Sequence, residues 1–146
     1  MTFAPVAELT KLREKEFSTR LTLNDGDANP LAKFKGELVE VRATFEPESN
    51  SEVSFSIRGI PIIFNATKQE LTVNGHRSPA PLRAGKQQIR ILADRTVFEV
   101  FASDGLTYVP LPVIPKADAR DIAVSVKGGA VKFSSLEANQ LESIWK

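Results

Sequence analysis

From residue 36 onward the chain alternates apolar and polar side chains with a period of two. Val39, Val41, Ala43 and Phe45 fall on one side, and Glu40, Arg42 and Thr44 on the other, as a half-buried strand requires. Val53, Phe55 and Ile57 repeat the pattern after the polar turn Pro47-Glu48-Ser49-Asn50. Leu71-Thr72-Val73 runs into Asn74-Gly75, the dipeptide best suited to the left-handed backbone of a tight hairpin. Further strands are predicted at 88–94, 96–101, 108–113, 122–126 and 131–136. Most are parted by turn-rich runs: Ser103-Asp104-Gly105, Pro115-Lys116-Ala117-Asp118 and Lys127-Gly128-Gly129. Roughly nine or ten short strands at spacings near a dozen residues predict an all-β fold, an antiparallel two-sheet β-sandwich or jelly roll. The crossover helices that a parallel sheet needs are missing.

Residues 5–17 carry the one helical pattern. Val6, Leu9 and Leu12 recur on a single stripe, and Pro5 suits a first turn. Glu8 is placed to pair with Lys11, and Glu16 with Arg20 if the helix runs that far. The pattern predicts a short N-terminal helical segment that docks on something else. Asn24-Asp25-Gly26-Asp27-Ala28-Asn29-Pro30 then reads as a loop.

Composition narrows the function more than the fold. At 146 residues the length fits one domain, residues 1–146, large enough to bury a sizeable core. Charges nearly cancel, 19 Lys+Arg against 18 Asp+Glu, so the basic field that holds a phosphate backbone is absent and nucleic acid is not an expected partner. Apolar runs such as Ile60-Pro61-Ile62-Ile63-Phe64 are too short to span a bilayer. Met1-Thr2-Phe3-Ala4-Pro5 lacks the basic start and apolar stretch of a signal peptide. With no cysteine there is neither a disulfide framework nor a thiolate nucleophile.

Catalytic chemistry finds no foothold. The single histidine, His76, follows the Asn74-Gly75 turn, and one His without Cys cannot build a usual zinc site. No Gly-x-Ser-x-Gly elbow presents a serine, and Gly128-Gly129 lacks the spacing and the following Lys of a phosphate loop. Asp25, Asp27 and Asn29 alternate as at the start of a calcium loop. Yet Pro30 stands where the glycine is required and Gly36 where the bidentate Glu belongs, so the run reads as a solvated turn. Asp94 and Glu99 lie five residues apart. Along one continuous strand that is roughly 16 Å and opposite faces, against the about 5 Å or about 6.5–9.5 Å of glycosidase carboxylate pairs. No catalytic residue, metal or cofactor is assigned.

The stretch Ile89-Arg90-Ile91-Leu92-Ala93-Asp94-Arg95-Thr96-Val97-Phe98-Glu99-Val100-Phe101-Ala102-Ser103-Asp104-Gly105 resembles the signature strand pair in the C-terminal domain of glycoside hydrolase family 32. That family includes invertases, levanases, inulinases and other β-fructosidases, and its pattern reads L-x-I-x-V-D-R-S-S-x-E-V-F-x-N-D-G. Thr96 and Val97 stand for the two serines, and Ser103 for the Asn. Pro5-Val6-Ala7-Glu8-Leu9 looks like the segment after the family's catalytic propeller. Residues 37–45 resemble the first long strand of the sandwich, 53–58 the next, and Leu141-Glu142-Ser143-Ile144-Trp145 its end.

The resemblance implies a concanavalin-like β-sandwich, with residues 1–20 following or docking on a five-bladed catalytic propeller of the same protein. The propeller's W-M-N-D-P-N-G, R-D-P and E-C motifs do not occur here. The chain is therefore expected to be a non-catalytic module of a fructan- or sucrose-cleaving hydrolase. Family habit places such enzymes outside the cytoplasm. Some sandwiches of this type bind fructan through terminal fructose. By position in the pattern, Asp94 and Glu99 are the carbohydrate-binding candidates to accept from sugar hydroxyls, and Arg58 the candidate donor. The alternative is purely structural, a domain that stabilises the propeller without touching sugar.

Overall fold

The computed structural model describes residues 13–116 and 118–141. Two antiparallel sheets pack face to face. The strands are β1 (Arg13–Leu23), β2 (Val39–Pro47), β3 (Glu52–Ile57), β4 (Ile60–Asn65), β5 (Glu70–Val73), β6 (His76–Pro79), β7 (Gln87–Ala93), β8 (Val97–Ala102), β9 (Thr107–Pro112), β10 (Ile122–Lys127) and β11 (Val131–Leu141). The six-stranded sheet runs β1-β11-β2-β7-β8-β9 and the five-stranded sheet β10-β3-β4-β5-β6.

The period-two pattern is what the sandwich uses. Val39, Val41, Ala43 and Phe45 of β2 and Val53, Phe55 and Ile57 of β3 are all buried between the sheets. Phe45 meets Phe64 edge-on at 5.9 Å between ring centres and Phe133 at 5.2 Å, so aromatic contacts from β2, β4 and β11 tie the two layers together. The Asn74-Gly75 hairpin forms as predicted. Val73 pairs with His76 across the turn, and both central residues sit at positive φ, 47° and 89°, the angles that favour Asn and Gly.

Two elements depart from the pattern reading. Residues 13–17, expected at the end of a helix, open β1 instead. Phe17, Leu21 and Leu23 lie on the core side and pair against Ala138, Phe133 and Val131 of β11. A long ladder with β11 outweighs the modest helical propensity of a short polar run. Phe17 packs against the core of the sandwich; Pro5, Val6, Leu9 and Leu12, and residues 142–146, lie outside the described residues. The apolar run from Ile60 is a strand, β4, paired on both sides.

Edges are managed locally. On β9, the Val113 N–H reaches inward to Thr96 O at 3.0 Å, so alternation turns the nitrogens of Pro110 and Pro112 outward. Proline carries no donor there, which blunts the free edge of the six-stranded sheet.

Candidate functional site

Arg58 occupies the β3–β4 hairpin turn between Ile57 and Ile60. Its backbone is left-handed, φ 52°, and the residue is only 4% exposed. The guanidinium faces inward. Nε donates to Ala119 O at 2.7 Å, Nη2 to Lys116 O at 3.0 Å and Nη1 to Glu37 O at 3.3 Å. The Arg58 N–H adds a bond to Asp121 O at 2.9 Å. One buried arginine thus clips the β9–β10 connection to the segment before β2 through part-buried hydrogen bonds to three carbonyls. Its donors are engaged within the fold.

Asp94 lies one residue past β7, at the tip of the β7–β8 hairpin. Its N–H donates to Val97 O at 3.0 Å, and its Oδ1 accepts the Arg95 N–H at 2.6 Å. Because Ala93 pairs with Phe98 and Leu92 with Glu99, Asp94 and Glu99 sit on two strands of one hairpin, not on one continuous strand. The odd-offset argument for opposite faces therefore fails. The two carboxylates take different partners. Glu99 Oε1 accepts from Tyr108 Oη at 3.3 Å, and Tyr108 stands opposite Phe101, on the side away from the tip. Asp94 remains exposed at that tip.

The end of the sandwich gathers more charge than the sequence pattern suggested. Glu37 Oε1 accepts from Arg95 Nε at 2.7 Å, and its Oε2 lies 3.6 Å from Arg120 Nη2. The hydrogen bond from Arg95 holds the Glu37 carboxyl below its ordinary range, helped by the charges of Arg95, Arg120 and Arg58 and opposed by partial burial. Lys35 pairs with Asp121 beside it. Arg58 and the Asp94-Arg95 tip therefore meet at one residue, Glu37: Arg58 on its carbonyl, Arg95 on its carboxylate. Glu99 is elsewhere, on the outer face of the six-stranded sheet.

On that face Phe101 and Tyr108 stack at 5.0 Å with a 31° tilt. Burial raises the Tyr108 pKa, with the Glu99 charge and its hydrogen bond adding to the rise. Arg90 of β7 stands opposite Phe101, and Arg42 on β2 pairs with Glu137 at 3.0 Å. Glu37 and Arg95 escaped the sequence reading because they meet across 58 positions of chain, and Tyr108 because only the β8–β9 pairing brings it to Glu99.

The rest of the signature stretch also serves the fold. Buried Gln87 accepts the Ser103 N–H through Oε1 at 2.7 Å and donates through Nε2 to Ala80 O at 3.2 Å. Ser103 Oγ donates to Pro81 O at 2.7 Å. The carboxylates of the 24–30 loop accept backbone N–H groups: Asp25 from Gly128 at 3.0 Å, Asp27 from Asn24 at 2.8 Å. Among the described residues no group of three or more His, Asp or Glu is placed to hold a metal ion. His76 is exposed on β6.

Comparison with known proteins gives a consistent picture. Residues 8–140 match the family described as Glycosyl hydrolases family 32 C terminal. A levanase of Bacillus subtilis (strain 168) is 27% identical over 166 residues, covering 97% of this chain and 24% of the levanase. The levanbiose-producing levanase of the same organism is 31% identical over 118 residues, covering 77% of this chain and 23% of its own length. Among solved structures, the exo-inulinase from Aspergillus awamori superposes with a TM-score of 0.78 at 18% identity, over 94% of this chain and 31% of that one. The chain thus spans about a quarter of the length of these two curated relatives.

Proposed function

Because this chain belongs to the C-terminal domain family of glycoside hydrolase family 32, we propose that it is the non-catalytic sandwich of a fructan- or sucrose-cleaving enzyme and works by stabilising the catalytic domain. The observation that carries this reading is Arg58. The candidate sugar donor spends all three guanidinium nitrogens on carbonyls of its own fold. Asp94 caps its own turn, and Ser103 anchors the β8–β9 connection through Gln87. Residues of the types that hold sugars are thus spent on joining loops. A sandwich built this way offers a rigid surface more than a pocket.

The test is isothermal titration of the chain with levan, inulin and free fructose. No heat at millimolar sugar is expected. Saturable heat with any of the three overturns the purely structural reading.

One arrangement favours a second reading, in which the module holds the fructose of a fructan chain. Glu99, Tyr108 and Arg90 bring a carboxylate, a phenol and a guanidinium to neighbouring positions on the outer face of the six-stranded sheet. Such groups discriminate a small, hydroxyl-rich furanose by charged hydrogen bonds. On this reading the same titration gives heat that disappears in Glu99→Ala, while Asp94→Ala and Arg58→Lys leave the affinity unchanged.

A further inference from the structure

At the other end of the six-stranded sheet the ladder is broken twice at one place. The β1–β11 register shifts between Thr19 and Leu21, and the β11–β2 register shifts between Phe133 and Ser135. Ser134 is the extra residue toward β2, and toward β1 Ser134 and Ser135 together oppose the single Arg20. A bulge of this kind bends the strand and re-aims its neighbours. Here it opens a shallow notch lined by Arg20, Leu21, Thr22, Lys132, Phe133 and Ser134.

Thr22 and Lys132 share a rung of the ladder. Arg20 lies two residues from Thr22 on the same side, so the two cations start from diagonal positions about 7–8 Å apart, within reach of a common point. Both are exposed, and among the described residues neither has an acidic partner within ion-pair distance. Glu46, opposite Lys132 on β2, is turned to Lys86 at 3.6 Å. Ser134 Oγ donates to Thr44 O at 3.2 Å, which fixes the wall of the notch.

We propose that this notch binds a small oxyanion of the phosphate or carboxylate class, held between Arg20 and Lys132 with the Thr22 hydroxyl as a further donor. Two cations within reach of one point, with the Thr22 hydroxyl beside them, supply charge-assisted hydrogen bonds, which are stronger than neutral ones. The oxyanion is free or carried on a sugar; both present the same oxygens to the guanidinium.

Amide NMR spectra of the whole chain test this at low ionic strength, titrated with inorganic phosphate, then with a hexose phosphate, with fructose as the neutral control. Saturable shifts confined to residues 19–22 and 132–135 are expected with phosphate and not with fructose. Arg20→Gln and Lys132→Gln should each weaken the apparent affinity about tenfold. Both residues are exposed, and the unperturbed remainder of each spectrum reports that the variants fold. Tighter binding of the hexose phosphate assigns the site to a phosphorylated sugar, and equal binding to the free oxyanion. Shifts that do not saturate, that spread over other lysines, or that survive in both variants reduce the effect to charge screening and overturn the proposal.

Discussion

Asn29 stands beside Val124 and makes the contacts of a missing strand. Its Oδ1 accepts the Val124 N–H at 3.0 Å, while its Nδ2 donates to Ile122 O at 3.0 Å. These are the outward-facing groups of β10, the edge of the five-stranded sheet. The same Oδ1 takes the Leu31 N–H at 3.0 Å, and Asp25 reaches Gly128 N further along. The 24–30 loop thus closes an edge that would otherwise be free to pair with another chain.

Asn29→Ala is expected to destabilise the domain by about 1–3 kcal/mol, the cost of leaving part-buried backbone groups unpaired. Urea unfolding should show a lower midpoint at unchanged slope. Size-exclusion chromatography should show association that grows with concentration. Asn29→Asp keeps the acceptor, loses the donor and should fall between. A variant with the parent midpoint that stays monomeric would show that the edge needs no plug.

The Arg58 clip competes with turn strain at the same residue. A non-glycine residue at φ 52° is strained relative to Asn or Gly, so Arg58→Asn would improve the turn if the turn alone mattered. It would also release Ala119, Lys116 and Glu37 carbonyls. The clip should win. Arg58→Asn and Arg58→Ala are each expected to cost at least about 2 kcal/mol in urea unfolding, with Arg58→Lys recovering part. Equal or greater stability in Arg58→Asn would mean that the carbonyl contacts contribute nothing.

How far the sequence reveals this molecule depends on whether a signal is local. Alternation in β2, β3, β5 and β7–β11 is local, and those strands are predicted nearly where they occur. β1 misleads because residues 13–17 carry helical spacing, while their strand state comes from pairing with β11 more than a hundred positions later. β4 is an apolar run with Pro61 in it, and only its two neighbours make it a strand. The corner between Asp94 and Glu99 is legible as the break between the strands predicted at 88–94 and 96–101, but not the register across it, because Asp94-Arg95-Thr96 has no Gly or Pro to fix the turn. The Glu37 cluster has no sequence signature at all, since its arginines come from positions 58, 95 and 120.

Tyr108 offers a clean optical test, being the one tyrosine in the chain. Burial and the Glu99 carboxylate raise its pKa, so the folded state keeps the phenol proton at pH values where the unfolded chain has lost it. That contribution to stability is complete below the unfolded pKa and disappears as pH rises through the folded one. Phenolate absorbance should therefore titrate above the ordinary tyrosine range. Glu99→Gln, which removes the charge and keeps the shape, should bring it part of the way down, leaving the share due to burial. No difference between the two titrations would break the Glu99–Tyr108 coupling.

Glu37 gives the opposite sign. Its carboxyl is held below the ordinary range, first by the Arg95 hydrogen bond, so between the folded and unfolded pKa values the unfolded chain binds more protons and stability rises with pH. The contribution is complete above the unfolded pKa and is lost as pH falls through the folded one. Its size is limited, because the side chains of Glu37, Arg95 and Arg120 are 37%, 47% and 52% exposed and solvent and salt screen such pairs. In Glu37→Gln the backbone carbonyl that accepts from Arg58 is untouched, so the variant isolates the carboxylate. The stability gap between the parent chain and Glu37→Gln should be constant at neutral pH, narrow on acidification and shrink at high salt. Urea midpoints across pH at two ionic strengths read it directly. A gap independent of both would mean that Glu37 acts through packing and not through its charge.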